Sequence, residues 1–288
     1  MEVLKSGIFQ TDSELVIDEY NNNLNYTIEY NHKVRKEYCI LYFSSNNIYY
    51  PNNEAEFIKS IIENNKFELY KNRIAKGHKH IFFRDIKKQW YLTGINNDIN
   101  DPIKLLEFIR NETLGYKNIF VGSSAGGFIS VILGQQLNAE RIYSFNGQFE
   151  IMTLAKKINA PYKNPILSES LTNFKLLPFY DTKNFITNPE TIYYFHSSKS
   201  SWDIEQYKHI SNLKINLISF KTSNHGIPFL KNNLNVIINL TPNKLKNLVG
   251  RDFHPLLFSL RVVGLKKTMQ ALIAVLKVLL RKFKFFSV

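Results

Sequence analysis

The sequence predicts an α/β fold built on a mostly parallel eight-stranded sheet that has an antiparallel start and carries helices on both faces. Short apolar runs rich in β-branched and aromatic residues recur along the chain, which is typical of buried strands. Helix-length segments separate most of these runs, and strands joined in this way pair in parallel through right-handed crossovers. A chain of 288 residues with 44% hydrophobic content is also long enough to bury one sizeable core.

The start of the sheet is expected to differ because only the turn Asn21-Asn22-Asn23 separates the first two apolar runs. A connection this short predicts an antiparallel hairpin. The predicted strands cover residues 14–18, 24–30, 38–43, 81–83, 118–121, 142–145, 191–195 and 215–220. The predicted helices cover residues 53–65, 102–113, 125–137, 204–213 and 230–240.

The chain is predicted to form one main domain over residues 1–250, followed by a basic tail over residues 251–288. Between residues 148 and 189 the strand and helix pattern gives way to mixed sequence interrupted by prolines. This interruption predicts an inserted lid over the sheet. The chain contains neither an internal repeat nor a low-complexity linker that would divide it further.

The net charge of the chain is +13, but its distribution argues against a nucleic-acid site. Residues 251–288 carry eight basic residues and one acidic residue, a net charge of +7, which leaves +6 for the rest of the chain. The lysines of that larger part are scattered through its loops instead of forming a phosphate-binding stripe. We therefore expect no nucleic-acid partner.

The cysteine content and the N-terminal residues bear on where the protein is located. Cys39 is the only cysteine and lies in the apolar run 38–43, which predicts a buried side chain in a reducing compartment. Residues 1–20 contain no apolar stretch long enough for a secretion signal. We expect a cytoplasmic location, with peripheral attachment to the inner membrane if the tail binds lipid.

The segment Gly122-Ser123-Ser124-Ala125-Gly126 is the strongest chemical signal in the chain. It follows the predicted strand 118–121 and opens the predicted helix 125–137, which is where a nucleophilic serine on a sharp strand-to-helix turn would lie. Such a turn needs small neighbours because its backbone is strained. The pattern predicts Ser124 as the nucleophile, and the alternative is a glycine-rich turn that only packs a helix against a strand.

A serine nucleophile needs an acid and a base that follow it in the chain, and Asp203 is the candidate acid. It lies in the loop after the predicted strand 191–195 and before a predicted helix. Because aspartate is also a common helix N-cap, capping of the helix near Ile204 is the alternative role.

His225 is the candidate base because it follows the last predicted strand, 215–220. Three other histidines compete with it. His196 lies very close to its strand, His209 falls on a predicted helix, and His254 lies beyond the predicted sheet.

A tetrahedral intermediate also needs donors for its oxyanion, and backbone amides at two places could supply them. The first is the Ala125 N–H at the start of the predicted helix, and the second is the N–H of Ser44 or Ser45 after the predicted strand 38–43. Three further side chains are candidates for lining the pocket: Asp85, Asn146 and Ser123. Asp85 and Asn146 could instead cap loops.

The chain contains no Cys/His cluster, no acidic cation-binding loop and no glycine-rich phosphate or dinucleotide motif. We therefore expect neither a bound metal nor a bound cofactor.

Through Gly122 to Gly126, Asp203 and His225, in that order, the chain resembles the α/β-hydrolase superfamily over residues 38–240. It is similar, more narrowly, to hydrolase-fold proteins found with bacterial surface-polysaccharide or capsule genes. The segments that carry this similarity are Phe83-Arg84-Asp85, Gln89-Trp90-Tyr91 and the run from Val121 to Gly127.

Some proteins of that group are O-acetyltransferases, in which the serine is acylated by a thioester and the acyl group passes to a sugar hydroxyl. The resemblance thus implies an O-acyltransferase that acts on a surface polysaccharide, with acetyl-CoA as a candidate acyl donor and a glycan as acceptor. A carboxylesterase or deacetylase of the same fold is the first alternative. A non-catalytic hydrolase-like scaffold at a membrane assembly is the second.

The tail is predicted to form a basic amphipathic helix over residues 265–286. Lys267 and Lys277 interrupt any apolar span, so this predicted helix does not cross a membrane. Its apolar side would contact either an anionic membrane surface, or the enzyme itself or a second subunit. At about 100° per residue, the apolar side comprises Leu265, Met269, Leu272, Ile273, Val275, Leu276, Leu279, Leu280 and Phe283, and the polar side comprises Lys266, Lys267, Gln270, Lys277, Arg281, Lys282 and Lys284.

Overall fold

The computed structural model describes residues 9–153 and 173–285. Within these residues one eight-stranded sheet is formed, and all neighbouring strands except the first pair run parallel. The strands are β1 (Tyr26–Tyr30), β2 (Tyr38–Phe43), β3 (Lys79–Phe83), β4 (Lys117–Ser123), β5 (Arg141–Phe145), β6 (Ile192–Ser197), β7 (Asn216–Phe220) and β8 (Arg251–Phe253). Their spatial order is β1-β3-β2-β4-β5-β6-β7-β8. The predicted fold class is confirmed.

The α-helices with defined bounds in the described residues cover both faces of this sheet. They are α1 (Phe9–Asp12), α2 (Glu14–Asn22), α3 (Glu54–Phe57), α4 (Pro102–Glu112), α5 (Ala125–Gln136), α6 (Ser201–Ile210), α7 (Leu234–Ile237), α8 (Pro242–Lys246), α9 (Pro255–Val263) and α10 (Leu265–Phe285). Apolar side chains of α4, α5 and α6 pack on one face, and those of α7, α8 and α9 pack on the other.

The central strands are buried on both faces, as parallel sheets require. Along β2, Leu41 and Phe43 belong to the apolar cluster on one face, whereas Ile40 and Tyr42 belong to the cluster on the other. This alternation follows from the two-residue repeat of a strand. Because both faces are apolar, polar groups that serve chemistry are left to the ends of the strands.

The first predicted strand is wrong, because residues 14–18 belong to helix α2. Val16 and Tyr20, four residues apart, are the buried side chains of this helix, and Ser13 stands at its N-cap position. The predicted hairpin is therefore absent from this segment. The antiparallel start of the sheet comes instead from β1, which pairs with β3.

The eighth strand of the sheet is β8, which pairs with β7 and lies in the segment that the sequence assigned to the tail. Two predicted helices are also less regular than expected. After α3 the chain continues as a π-helix at Ile58–Glu63, and the predicted helix 230–240 consists of a 3₁₀ turn at Lys231–Asn233 followed by α7.

Much of the predicted lid, residues 154–172 within 148–189, lies outside the described residues. The described part contains 3₁₀ turns at Leu177–Tyr180, Thr182–Asn184 and Pro189–Thr191. A β-bridge between Glu150 and Asp181 joins its two sides. In the described chain, no helix has the length and apolar character needed to cross a membrane.

Candidate active site

Ser124 lies at a sharp turn between β4 and α5, as the sequence predicts. Its φ of 51° and ψ of −121° are uncommon for a residue with a side chain. The turn is possible because glycine stands two residues away on each side: a Cβ on Gly122 would lie 2.1 Å from the Gly126 carbonyl oxygen, and a Cβ on Gly126 would lie 2.2 Å from that of Phe43. The backbone therefore holds Ser124 at the carboxyl end of the parallel strands.

His225 meets this serine from the loop that follows β7. Its Nε2 lies 2.8 Å from Ser124 Oγ, although the two residues are 101 positions apart in the sequence. The imidazole ring also stacks on Trp202, with ring centroids 5.6 Å apart. The structure thus brings together the predicted nucleophile and the predicted base.

Asp203 lies behind the histidine on the first turn of α6, and its carboxylate is fully buried. Asp203 Oδ1 is 2.8 Å from His225 Nδ1. A carboxylate accepts the Nδ1–H, so Nε2 is left to accept the Ser124 hydroxyl proton. The N-cap of α6 is Ser200, whose hydroxyl accepts from the Asp203 N–H, so the alternative capping role belongs to Ser200 and not to Asp203.

Asn146 holds the histidine loop from below and does not line the pocket. Its side chain is fully buried, and its Nδ2 donates to the carbonyl oxygens of Asn224 and Gly226, on either side of His225. Its Oδ1 accepts from the Ser197 N–H at 2.8 Å. Asn146 is therefore a positioning residue for the loop that carries His225.

The rival histidines are engaged elsewhere. His196 is buried in β6, where burial lowers the pKa of its imidazole, and its Nδ1 lies 3.4 Å from Ser219 Oγ. His209 lies 2.9 Å from the carboxylate of Asp181. His254 is exposed at the start of α9.

The three predicted backbone donors differ in their present partners. Ala125 is the first residue of α5, so its N–H has no acceptor within the helix. The Ser44 N–H donates to the Phe83 carbonyl oxygen at 3.0 Å. The N–H and the hydroxyl of Ser45 both donate to one carboxylate oxygen of Glu68, at 2.8 and 2.6 Å. Of these three amides, the one left for an oxyanion in this conformation is that of Ala125.

Gln148 is a residue of the site that sequence reasoning missed. Its Nε2 lies 3.2 Å from Ser124 Oγ, and its Oε1 accepts from the Trp90 indole N–H at 3.1 Å. An indole N–H can only donate, so this contact fixes the amide with its NH₂ toward the serine. The signal available in the sequence was its position, three residues beyond the end of β5.

Asp85 is buried beneath the site and shapes the loop that carries Trp90. Its Oδ2 accepts from the backbone N–H of Gln89 at 2.7 Å and of Tyr91 at 2.8 Å. Burial raises the pKa of this carboxyl to about 6, against the opposing effect of those hydrogen bonds. Asp85 therefore caps a loop, which was the alternative to lining the pocket.

A cavity of about 660 Å³ opens above Ser124 and His225. Ser123 lines it, as predicted, together with aromatic and amide side chains. On one wall Glu68 forms an ion pair with Lys231, whose Nζ lies 3.3 Å from the carboxylate. Other residues that line the cavity are Tyr50, Trp90, Trp202, Phe229, Asn46 and Asn224.

The sheet order, the strained serine between β4 and α5, and the hydrogen-bond chain from Ser124 through His225 to Asp203 have the arrangement that α/β-hydrolase folds use for nucleophilic catalysis by serine. Among the described residues, no group of three or more histidine, cysteine, aspartate or glutamate side chains is arranged to hold a metal ion.

Known proteins are similar to this chain only in structure, because no family model and no curated protein matches the sequence. The capsule O-acetyltransferase of Neisseria meningitidis serogroup A has a TM-score of 0.46 and 16% identity, over 68% of this chain and 81% of that chain. Esterase B from Lactobacillus rhamnosis has a TM-score of 0.42 and 8% identity, over 69% and 72%. S-formylglutathione hydrolase from Staphylococcus aureus has a TM-score of 0.41 and 9% identity, over 67% and 82%. No substrate follows from likenesses at this level.

Proposed function

We propose that this chain is a serine O-acyltransferase that moves an acyl group, of which acetyl is the leading candidate, from a thioester donor to a hydroxyl of a surface polysaccharide. The hydrogen-bond chain of Ser124, His225 and Asp203 carries the proposal, with both distances at 2.8 Å. This geometry supports nucleophilic catalysis because serine is a poor nucleophile unless a base removes its proton.

In the first half of the reaction, Ser124 Oγ attacks the acyl carbonyl carbon while His225 Nε2 takes the hydroxyl proton. The buried Asp203 carboxylate stabilises the imidazolium that forms. The tetrahedral intermediate then collapses, the bond to the donor sulfur breaks, and His225 returns the proton to the leaving thiolate. The products of this half are a free thiol and an acyl ester on Ser124.

In the second half, an acceptor hydroxyl gives its proton to His225 and attacks the acyl carbon of the ester. Collapse of this intermediate breaks the bond to Ser124 Oγ, which recovers its proton from the imidazolium. The acceptor leaves as an ester, and the enzyme returns to its starting state.

The oxyanion of both intermediates would accept hydrogen bonds from the Ala125 N–H and from Gln148 Nε2. The Gln148 amide replaces the backbone donor expected at Ser44 or Ser45, since both of those amides already have acceptors. Its distance of 3.2 Å from Ser124 Oγ and its fixed orientation support this role.

The lining of the cavity supports a sugar as the acceptor. Sugars present apolar C–H faces that pack on aromatic rings and hydroxyls that bond to amides. Tyr50, Trp90 and Trp202 supply aromatic surface, while Asn46 and Asn224 supply amides. The similarity of the Phe83-Arg84-Asp85 and Gln89-Trp90-Tyr91 segments to those of polysaccharide-associated proteins favours the same acceptor.

An esterase or deacetylase that uses the same residues is the second candidate. The His225 side chain is 35% exposed, so water can reach the base that would activate it. The two candidates share the acyl-enzyme and differ only in the acceptor of its second half-reaction.

Acylation of Ser124 is the test of the shared chemistry. Incubation with acetyl-CoA or with a p-nitrophenyl ester should add one acetyl group to Ser124, detected by intact-protein and peptide mass spectrometry. We expect Ser124→Ala to lose the adduct and to lower turnover about 10⁴-fold or more. Ser211→Ala, which changes an exposed serine away from the cavity, is the matched control.

Two outcomes would contradict parts of the proposal. A folded protein whose Ser124 reacts with neither donor nor a fluorophosphonate probe would indicate a non-catalytic scaffold. Acetyl release at a rate that added glycan leaves unchanged, with no acetylated glycan formed, would indicate an esterase.

A further inference from the structure

A stripe of large apolar side chains on α10 is exposed to solvent. We call it the apolar stripe: Leu265, Met269, Ile273 and Leu276, whose exposed fractions are 67%, 47%, 48% and 57%. Their spacing of four, four and three residues places them on one side of the helix. Single exposed apolar residues are common, but a continuous row indicates a binding surface.

A different face of α10 attaches the helix to the enzyme. Thr268 and Ala271 are buried, with exposed fractions of 0% and 2%. At about 100° per residue they lie on the side of the helix away from Met269 and Ile273. Packing on the enzyme, one of the two roles predicted for the tail, therefore uses small residues and leaves the apolar stripe uncovered.

Positive charge borders the apolar stripe. Lys266 and Lys267 are both exposed; at about 100° per residue Lys266 lies beside the stripe, whereas Lys267 lies farther round on the polar side of the helix. The sequence of α10 contains six basic residues and no acidic one. Residues 251–288 together carry a net charge of +7.

The positive charge favours an anionic lipid surface over a second copy of the chain as the binding partner of the apolar stripe. Two copies of the chain joined through their stripes would bring two strongly basic helices together without any acidic residue to offset the repulsion. An anionic lipid surface offers negative charge to the lysines and an apolar interior to the stripe. The described helix does not have the length and apolar character to span a membrane, so it would lie in the headgroup layer.

We propose that α10 docks the enzyme on an anionic membrane surface, with the apolar stripe inserted between headgroups and the lysines on the lipid phosphates. The 3₁₀ turn Lys231–Asn233, on which α10 packs, belongs to the segment that follows His225. Since Lys231 lines the cavity, docking would hold the cavity close to the lipid surface.

Flotation of the full chain with lipid vesicles tests the proposal. Vesicles of phosphatidylglycerol and phosphatidylcholine should carry the protein upward, whereas pure phosphatidylcholine should not. Raised salt should weaken binding because it screens the lysines. Met269→Glu with Ile273→Glu should abolish detectable flotation, and Lys266→Gln with Lys267→Gln should lower the partition coefficient by about thirtyfold, since each lysine contributes roughly fivefold.

Matched controls separate binding from folding. Leu114→Glu places a glutamate on an exposed apolar residue outside α10, and Lys33→Gln with Lys71→Gln removes two positive charges elsewhere; both should float as the wild type does. Fluorophosphonate labelling of Ser124 in each variant reports a folded enzyme independently of lipid. Equal flotation of the apolar-stripe variant and the Leu114→Glu control would overturn the proposal. So would absence of flotation together with a wild-type dimer that Met269→Glu and Ile273→Glu dissociate in analytical ultracentrifugation.

Discussion

At the scale of single residues, Gln148 is the side chain that the proposed mechanism uses as an oxyanion donor in place of a backbone amide. The sequence places the second oxyanion donor in the loop after β2, yet the Ser45 N–H of that loop donates to the Glu68 carboxylate. Gln148 reaches Ser124 from the end of β5, and Trp90 fixes which end of its amide faces the serine. The position and orientation of this amide therefore depend on two loops that are far apart in the sequence.

We expect Gln148→Ala to lower kcat about 10²- to 10³-fold with little change in KM, because an oxyanion donor acts mainly in the transition state. Gln148→Glu keeps the shape but replaces the donor with a negative charge, so its loss should be at least as large. Steady-state kinetics on a soluble ester and denaturant unfolding of each variant are the measurements. Unchanged kcat in a folded Gln148→Ala protein would contradict the oxyanion role.

Asp203 shows why a residue's role can stay open until the fold is known. A carboxylate just before a predicted helix fits both a cap and a catalytic acid, and the sequence gives no distance to His225. In the structure Ser200 is the N-cap of α6, because its hydroxyl oxygen accepts a hydrogen bond from the Asp203 N–H. The Asp203 carboxylate does not serve as the cap and instead forms a hydrogen bond with His225.

At the scale of elements, the predicted strands and helices next to Ser124 hold, and the predicted strand that proves to be a helix lies at the start of the chain. The run Glu14-Leu15-Val16-Ile17-Asp18 is too short for its periodicity to separate a strand from a helix. Burial of Val16 and Tyr20 on one side of α2 decides for the helix. This choice depends on contacts with residues such as Tyr49 and Ile86, which local sequence does not reveal.

The close backbone contact between β4 and α5 allows a prediction about Gly122. Its Cβ in Gly122→Ala would lie 2.1 Å from the Gly126 carbonyl oxygen, a backbone atom that cannot rotate away. We expect a loss of about 3 kcal/mol of unfolding free energy, at the upper end of the usual cost of overpacking.

The measurement is denaturant unfolding, with Gly115→Ala as the comparison. Gly115 has a φ of 79°, but apart from its chain neighbours no heavy atom lies within 4 Å of the position that its Cβ would take, so this variant reports mainly backbone strain, about 1 kcal/mol. Equal losses in the two variants would show that the crossing at Gly122 is not tightly packed.

At the scale of the whole molecule, the sequence predicted the overall architecture better than it predicted the edge of the sheet and the contacts between distant loops. Apolar runs separated by helix-length segments were sufficient for a parallel sheet, and chain order was sufficient to nominate Ser124, Asp203 and His225. The strand β8 was missed because Arg251–Phe253 is short and carries two charged residues. Gln148 was missed because its role depends on which loops meet above the sheet.

Stability of the whole chain should also depend on Asp85. Burial raises the pKa of its carboxyl from 3.8 to about 6, so the folded state binds this proton more tightly than the unfolded state does. Its contribution to stability is complete below pH 3.8 and is lost as the pH rises through about 6. The loss is of the order of 3 kcal/mol.

Asp85→Asn removes this titration, so the difference in unfolding free energy between variant and wild type should shift in favour of the variant from pH 4 to pH 7. Denaturant titrations at several pH values within that window measure the difference. A difference that stays constant across the window would show that the buried carboxyl does not titrate there.

The backbone at Ser124 limits which residues can occupy its position. With φ at 51° and ψ at −121°, a second branch on Cβ is sterically disfavoured, so we expect threonine to add strain there although it carries the same hydroxyl. Cysteine has an unbranched Cβ and meets no such barrier. We therefore expect position 124 to accept the exchange of oxygen for sulfur more readily than the exchange of a primary for a secondary alcohol.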